Sequence, residues 1–353
     1  MLRLLRKEAI VIKIGLIDVD GHNFPNLALM RISAYHKAQG DEVEWWWGWE
    51  HYDIVYMSKV FSDEYSPDIP EPANADVIIK GGTGYCISLG GDGKECFDQS
   101  KNITLPPNIE KMCPDYSIYP QFDFAVTMTS RGCPRGCAFC HVAAKEGRCA
   151  VKVADVSDFW RGQKEIKVLD PNITACREKR DLFSQYRQTK AWIDFTQGLD
   201  IRLLNEDDID DLNHMKIKML HFAWDNPSDR LAEKFKAFSD RFKIKDHRRK
   251  TVYCLTNFEN VSVEEHIDRA LMRIYTLREY GYTPFLMVYN KPYAPEEILR
   301  LQTWCNNMRL AYTVPRFEDF DARARRKGQL PSQPKLDNYE IAFEGIHYDN
   351  PQD

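Results

Sequence analysis

The sequence has 353 residues, of which 43% are hydrophobic and 12% are aromatic, and its formal net charge is -5. This length and composition favour about two domains with sizeable cores, and they exclude a tail or a linker protein. The weak negative charge provides no overall attraction to nucleic acid or to an anionic membrane surface.

The N-terminal stretch carries basic residues, but Lys13 interrupts its apolar run and Asp18 and Asp20 close it. This pattern does not fit a signal peptide, and no window approaches the ~20 apolar residues of a membrane span. We therefore expect a cytoplasmic protein whose ten cysteines are reduced and available for metal in preference to disulfides. Residues 1–11 match no regular element and are expected to form an extension.

Strands and a helix alternate over residues 12–95. The run IVIKIGLIDVD indicates a strand, and the segment PNLALMRISAYHKAQG has helical spacing and ends in glycine. Three more strand candidates follow, with the sequences DEVEWWW, YDIVYMSKVF and ADVIIKGGTGY. Apolar strands that alternate with helices predict a small doubly wound, Rossmann-like parallel sheet, so the fold class is α/β.

Prolines separate this region from the rest of the chain. Those at positions 106, 107, 114 and 120 make a long helix or a central strand unfavourable. We therefore predict a linker over residues 96–121.

Six apolar runs follow between residues 122 and 315, and each precedes a segment that is long enough for a helix. The runs are FDFAVTM, EIKVLD, WIDFTQ, MLHFAWD, TVYCLTN and TPFLMVYN. Six strand–helix units of this kind indicate a second, parallel α/β domain. Residues 316–353 are expected to form a C-terminal tail.

Three cysteines, Cys133, Cys137 and Cys140, lie close together in the stretch TSRGCPRGCAFCHV. Three thiolates on one tight loop can hold three irons of a cubane cluster and leave the fourth iron without a protein ligand. Gly132 and Gly136 permit backbone angles that other residues avoid, which helps a short loop to wrap a cluster. A structural zinc site is the alternative, but zinc usually takes two separated pairs of ligands, and the sequence has no downstream pair.

At this motif the sequence resembles the radical S-adenosylmethionine (SAM) enzymes, whose signature is Cys-x3-Cys-x2-Cys with an aromatic residue, here Phe139, before the last cysteine. The resemblance implies an incomplete (β/α)6 barrel over residues 122–315, a [4Fe-4S] cluster held by the three cysteines, and SAM at the open iron. It also implies reductive cleavage of SAM to a 5'-deoxyadenosyl radical that takes hydrogen from a substrate. A reductase such as flavodoxin or ferredoxin would supply the electron, and the substrate is a small molecule, a peptide or RNA.

The region before the barrel resembles the cobalamin-binding domains of one subgroup of this family. The segment DGHNFP (Asp20–Pro25) is similar to the Asp-x-His-x-x-Gly motif, with His22 as the cobalt ligand, although Pro25 replaces the glycine. The alternative is that these residues only form a turn and a cap for the following helix. The sequence leaves cobalamin open, and we favour the turn.

Chemistry in parallel barrels lies at the C-terminal ends of the strands, so polar residues there are candidates to bind SAM. By position and by the resemblance, the candidates besides Phe139 are Asp170, Asn172, Gln197, Asp200, Arg202 and Asn257. Arg202 suits a carboxylate, which arginine binds bidentately, but an internal Asp–Arg pair is an equal alternative.

The sequence thus predicts a radical SAM enzyme whose substrate and catalytic residues are unknown. Two alternatives are a cobalamin-dependent radical SAM methyltransferase and a methylthiotransferase-like enzyme that modifies RNA or protein. A third is a non-catalytic iron–sulfur protein that carries electrons or senses oxygen. The seven other cysteines form no close pairs, so we expect no auxiliary cluster.

Overall fold

The structure is a computed structural model that describes residues 11–91 and 93–320. Most of the expected N-terminal extension, and the expected C-terminal tail beyond Phe320, lie outside the described residues. The described chain divides into two units between Phe122 and Asp123. Within these residues, no helix combines the length and the apolar character that crossing a membrane requires.

The first unit is built around a four-stranded parallel sheet. Its elements, in chain order, are β1 (Lys13–Asp18), α1 (Leu27–Gln39), β2 (Glu42–Trp45), β3 (Tyr52–Ser58), β4 (Ala75–Gly81), β5 (Ile87–Leu89), β6 (Glu95–Phe97) and α2 (Pro107–Glu110). The sheet has the order β2-β1-β3-β4 with every pair parallel, and β5 and β6 form a separate antiparallel pair. The prediction of a parallel α/β sheet is therefore confirmed.

The connection between β3 and β4 contains no α-helix within its described residues. Pro67, Pro70 and Pro72 lie in this connection. Proline removes a helical hydrogen bond and clashes with the preceding turn, so three of them at close spacing prevent a helix.

The core of the first unit lies between α1 and the sheet. Leu29, Met30 and Ile32 of α1 are buried against Ile14 and Leu16 of β1. Leu29 and Ile32 are three residues apart, so they lie on the same face of α1, and Met30 is buried beside them.

Residues 96–121, the predicted linker, contribute to the same core. Ile109, Ile118 and Tyr119 are buried in it. The segment is also held by an ion pair, in which Arg31 Nη1 donates to Glu110 Oε1 at 2.6 Å. Three side chains of this stretch thus belong to the hydrophobic core of the first unit.

The strand order of this sheet reverses at β1 and β3, whose carboxyl ends lie side by side. Open parallel sheets bind ligands in the crevice at such a point. Asp20 joins the two loops there, since its carboxylate accepts hydrogen bonds from the N–H groups of Val60 (2.5 Å) and Phe61 (3.3 Å). His22 is exposed on the loop after β1, and its ring centroid lies 4.1 Å from that of Trp45.

Asp18 ends β1 at the same edge, where Tyr119 Oη donates a hydrogen bond of 2.6 Å to its carboxylate. Burial raises the pKa of Asp18 to about 7, and the negative charge of Asp20 adds to the shift, whereas the hydrogen bond from Tyr119 opposes it. The same burial and the Asp18 charge raise the pKa of Tyr119 well above its ordinary value. The carboxyl group of Asp18 is therefore largely protonated in mildly acidic solution.

The native state holds the Asp18 proton more tightly than the unfolded chain does. The free energy of unfolding of the first unit should therefore fall as the pH rises from about 4 to about 7, and then level off. Asp18→Asn keeps the size and removes the titration, so it should flatten this slope. Hydrogen exchange of peptides that cover β1 and β3, corrected for the intrinsic exchange rate, measures this dependence on pH. The same pH dependence in the wild-type protein and in Asp18→Asn would contradict the raised pKa of Asp18.

The second unit carries a six-stranded parallel sheet. Its elements, in chain order, are β7 (Ala125–Thr127), β8 (Ser130–Arg131), α3 (Val142–Glu146), β9 (Val151–Lys152), β10 (Glu165–Val168), α4 (Lys179–Thr189), β11 (Trp192–Leu199), α5 (Glu206–Asn213), β12 (Lys216–Ala223), α6 (Ala232–Arg241), β13 (Lys250–Thr256), α7 (Val263–Glu279), β14 (Thr283–Val288), α8 (Glu296–Asn306) and α9 (Met308–Thr313). The order is β14-β13-β12-β11-β10-β7. Every pair in it is parallel, which confirms the six predicted strands. Their curvature into a barrel stays a prediction.

Helix α7 shows how the helices of this unit attach to the sheet. It begins after Ser262, whose Oγ accepts the Glu265 N–H at 3.1 Å, and acidic residues in its first turn favour the helix dipole. Its buried residues recur at helical spacing and form one face: His266, Ala270, Arg273, Ile274 and Leu277. One of them is a charged arginine, which reaches the strand ends.

Candidate functional site

The three motif cysteines lie on the loop between β8 and α3, residues 132–141, which we call the cysteine loop. Gly132 and Gly136 have φ angles of +85° and +56°, so both use the backbone region that glycine permits. The loop folds back on itself, because Cys133 N–H donates to Gly147 O at 3.1 Å and Cys140 N–H donates to Cys137 O at 3.0 Å. The glycines thus serve the wrap that the sequence predicted.

The thiol of Cys140 is influenced by its surroundings in the cysteine loop. Burial raises the pKa of the Cys140 thiol, and Cys137 and Cys133 raise it further. Across the described chain, no three His, Cys, Asp or Glu side chains are gathered as ligands of a single metal ion. A cubane cluster makes a different demand, since each thiolate binds a different iron and the sulfurs surround the whole cube. Three neighbouring thiols on one wrapped loop fit that demand.

Asp170, which follows β10, holds the chain just before the cysteine loop. Its buried carboxylate accepts hydrogen bonds from Thr129 N–H at 2.9 Å, from Thr129 Oγ1 at 2.8 Å, and from Ser130 N–H. Burial raises the pKa of Asp170 to about 6, while these hydrogen bonds oppose the shift. Tyr186 adds a contact from α4, with its Oη 2.8 Å from Thr127 Oγ1. The start of the cysteine loop is therefore attached to the neighbouring strand and helix.

A cavity of about 270 Å³ opens beside the cysteine loop. It lies where the loop meets the carboxyl ends of β12 and β13 and the first half of α7. The residues that line it are Arg135, Cys137, Ala138, Phe139, Asp225, Asn226, Pro227, Leu255, Thr256, Phe258, Glu259, His266, Arg269 and Arg273. One candidate iron ligand, Cys137, thus shares a cavity with charged side chains from two strand ends.

Arg273 fixes the floor of this cavity. It is buried on α7, and its guanidinium donates to three backbone oxygens at strand ends: Trp224 O at 2.6 Å, Asp225 O at 3.0 Å and Leu255 O at 2.9 Å. Its remaining Nε donates to Arg269 O at 3.0 Å. A buried arginine whose donors are satisfied by carbonyl groups ties α7 to the ends of β12 and β13.

Asp225 is the acidic group of the cavity. Burial raises its pKa to about 6, and the neighbouring Arg273, Arg202 and Arg135 oppose this shift. The carboxylate therefore lies in a partly enclosed, cationic environment. A carboxylate in such a place accepts hydrogen bonds strongly from hydroxyl groups.

Arg202 has two carboxylate partners in the structure. Its Nε donates to Asp200 Oδ1 at 2.6 Å, and its Nη1 donates to Asp229 Oδ2 at 2.7 Å. The same Asp229 carboxylate lies 3.6 Å from Arg135 Nη2, on the cysteine loop. These contacts correspond to the internal Asp–Arg pair that the sequence left open, extended by a second aspartate.

The other candidates occupy separate positions. Gln197 is exposed on β11, within a break in the register between β11 and β12. Asn257 follows β13 with a φ of +63°, and its Nδ2 donates to Tyr289 O at 2.9 Å. Phe139 packs edge to face against Phe258, with ring centroids 5.5 Å apart. Of the predicted cofactor-binding residues, Phe139 is the one that lines the described cavity.

Several residues that line the cavity escaped the sequence analysis. The sequence places Asp225 at the end of the fourth apolar run of the second domain, but Asp225 is not among the predicted cofactor-binding residues. His266, Arg269 and Arg273 lie on a helix, at positions that the sequence pattern assigns simply to an amphipathic face. Arg135 is one of many exposed-looking basic residues in the sequence, and only the fold of the cysteine loop directs it to the cavity.

No family model matches the sequence, and no curated protein matches it. Among solved structures, the chain is similar to the radical SAM methyltransferase TsrM from Kitasatospora setae, solved with cobalamin and a [4Fe-4S] cluster bound. The TM-score is 0.56, with 9% identity, and the match covers 79% of this chain and 75% of that one. The chain is also similar to the cobalamin-dependent SAM radical enzyme OxsB, solved with aqua-cobalamin bound, with a TM-score of 0.39 and 12% identity over 79% of this chain and 49% of that one. The likeness to TsrM is one of fold, and it agrees with the α/β fold class that the sequence predicted.

Gly132→Ala should prevent the cysteine loop from closing. The residue has a φ of +85°, and an added Cβ would lie 2.1 Å from the carbonyl oxygen of Cys149, which is backbone and cannot move alone. Gly136→Ala is the matched variant, because the added Cβ would meet the movable guanidinium of Arg148 at 2.7 Å. Its left-handed backbone costs alanine only about 1–2 kcal/mol.

Hydrogen exchange of peptides covering residues 130–149 distinguishes the two variants. We expect fast exchange in Gly132→Ala, nearly normal exchange in Gly136→Ala, and unchanged exchange in β12 and β13 for both. Equal protection of the loop in both variants would show that the close approach of Gly132 to Cys149 does not hold the loop together.

Proposed function

We propose that this protein is a radical SAM enzyme, in which Cys133, Cys137 and Cys140 bind a [4Fe-4S] cluster. The observation that carries the proposal is the position of the cysteine loop. It opens onto a cavity at the carboxyl ends of parallel strands, with Cys137 in the wall. Catalytic groups lie at this end of parallel α/β folds. The common fold with TsrM supports the same assignment.

When bound, the cluster would supply the electron that breaks a carbon–sulfur bond of SAM, giving methionine and a 5'-deoxyadenosyl radical that removes a hydrogen atom from substrate. The chain itself would bind and orient SAM. Asp225 could accept hydrogen bonds from ribose hydroxyl groups, and Phe258 offers an apolar ring to the adenine. Arg273 keeps both strand ends in place, so these groups remain fixed relative to Cys137.

Aromatic side chains form an apolar part of the cavity wall. Phe139 and Phe258 pack together at the edge of the cavity. Phe258 also packs edge to face against Tyr289, with ring centroids 4.9 Å apart. An apolar wall of this kind protects a reactive radical from side reactions. A flavodoxin-like or ferredoxin-like reductase remains part of the proposal as the electron donor.

Each of Cys133→Ala, Cys137→Ala and Cys140→Ala should abolish iron loading and SAM cleavage. The wild-type protein, reconstituted without oxygen, should hold about four irons per chain and release 5'-deoxyadenosine when SAM and a strong reductant are added. Cys96→Ala is the matched control, because Cys96 is exposed and lies in the first unit. Iron analysis and chromatography of the products measure both effects. A loaded protein that cycles electrons but leaves SAM intact would favour an electron carrier.

A cobalamin-dependent methyltransferase is the second candidate. It is favoured by the fold shared with TsrM, together with the loop that carries His22 at the β1–β3 crevice of the first unit. In the described residues, no hydrogen bond occupies the ring nitrogens of His22, whose side chain packs on Trp45 and Tyr119. His22 could therefore bind the cobalt of cobalamin, which would supply a methyl carrier at this crevice.

Added cobalamin should quench tryptophan fluorescence if it binds beside Trp45, and His22→Ala should weaken this binding. His51→Ala is the control, since His51 is exposed and pairs with Asp76 at 3.1 Å. Formation of S-adenosylhomocysteine would indicate methyl transfer. Cobalamin that binds equally to both variants would remove His22 as the ligand, and no quenching at all would remove this second candidate.

A further inference from the structure

The side chain of Asn172 lies between a helical turn and a cysteine. It is buried, and its Oδ1 accepts hydrogen bonds from Ala175 N–H at 3.2 Å and from Thr174 Oγ1 at 2.7 Å. A backbone N–H can only donate, so the oxygen of the amide, and not its nitrogen, must face Ala175. The NH2 group therefore points the other way, where Nδ2 lies 3.4 Å from Cys133 Sγ.

A backbone N–H group orients the hydroxyl group of Thr174. Its Oγ1 accepts a hydrogen bond from Asp200 N–H at 3.0 Å, which leaves its own proton for Asn172 Oδ1. A chain of hydrogen bonds thus runs from the backbone after β11, through two buried side chains, to the sulfur of Cys133. The direction of every hydrogen bond in this series is fixed, because the first donor, the Asp200 N–H, can only donate.

We infer that Asn172 is a positioning residue for the iron–sulfur cluster, and that it donates an N–H···S hydrogen bond to the Cys133 thiolate. The inference rests on the proposed function, since it requires Cys133 to bind iron. Hydrogen bonds to the sulfurs are among the factors that set the reduction potential of such clusters. The amide stabilises the additional negative charge of the reduced cluster, so it raises the potential. This role differs from the contact with SAM that the position of Asn172 suggested.

These hydrogen bonds connect the loops after β10 and β11 to Cys133. The backbone after β11 contributes Asp200 N–H, and the loop after β10 contributes Thr174 and Asn172. Both are therefore connected to the cluster through Cys133, and not through the cavity that Cys137 lines. Cys133 and Cys137 thus differ in their surroundings, with an uncharged amide at the first and the Arg135 guanidinium close to the second.

The test compares the midpoint potential of the reconstituted cluster in variants that alter one link each. Asn172→Ser keeps an oxygen that can cap Ala175 N–H and removes the donor to sulfur. Asn172→Asp keeps the shape and the oxygen that accepts from Thr174 and Ala175, and it replaces the NH2 donor with a negatively charged oxygen beside the sulfur. Thr174→Val removes the proton that holds the amide in place. Asn307→Asp is the matched control, because Asn307 caps α9 with its Oδ1 3.1 Å from Leu310 N–H.

Redox titration followed by electron paramagnetic resonance, with iron content measured on the same samples, gives the result. We expect a more negative midpoint potential in Asn172→Ser, a larger shift in Asn172→Asp, a smaller one in Thr174→Val, and the wild-type value in Asn307→Asp. If Asn172→Asp loads no cluster, the two uncharged variants carry the comparison. Loaded variants with the wild-type potential would reduce Asn172 to a helix cap and overturn the inference. A wild-type protein that binds no cluster would instead refute the proposed function.

Discussion

The carboxylate of Asp170 determines where the cysteine loop leaves the sheet. It follows β10, the strand that pairs with β7, and it binds the backbone of Thr129 and Ser130 just before the loop begins. A buried carboxylate is costly unless donors surround it, and here two backbone N–H groups and one hydroxyl do so. Because Asp170 follows β10 and Thr129 follows the adjacent strand β7, the position of the cysteines depends on the sheet itself.

Two arginines organise the neighbouring strand ends in different ways. Arg273 satisfies backbone carbonyls and therefore acts as a rigid connection between α7, β12 and β13. Arg202 is held by Asp200 and by Asp229, and the second aspartate also approaches Arg135. The first arrangement shapes the cavity, and the second joins the end of β11 to the cysteine loop through alternating charges. Partial burial makes such contacts more specific than surface ion pairs.

Each unit places its reactive groups at the carboxyl edge of a parallel sheet. In the first unit the edge at β1 and β3 carries His22, Asp18 and Asp20, and in the second the corresponding edge carries the cysteine loop and the cavity. Parallel strands all end at the same edge, so loops from distant parts of the sequence meet there. This explains how residues 135 and 225 come to share one cavity, which Arg273 reaches from α7.

The sequence by itself determined the parallel strands and the cysteine motif, because a buried strand needs a continuous apolar run and a short wrapped loop needs glycine near its ligands. It also placed Asp170 and Asn172 correctly at a strand end. Only the tertiary structure decided what these side chains do, since Asp170 binds backbone and the Asn172 amide faces sulfur. These hydrogen-bond partners are about forty residues apart in the sequence. They meet because of the strand pairing and the direction of each donor, and the local sequence pattern specifies neither.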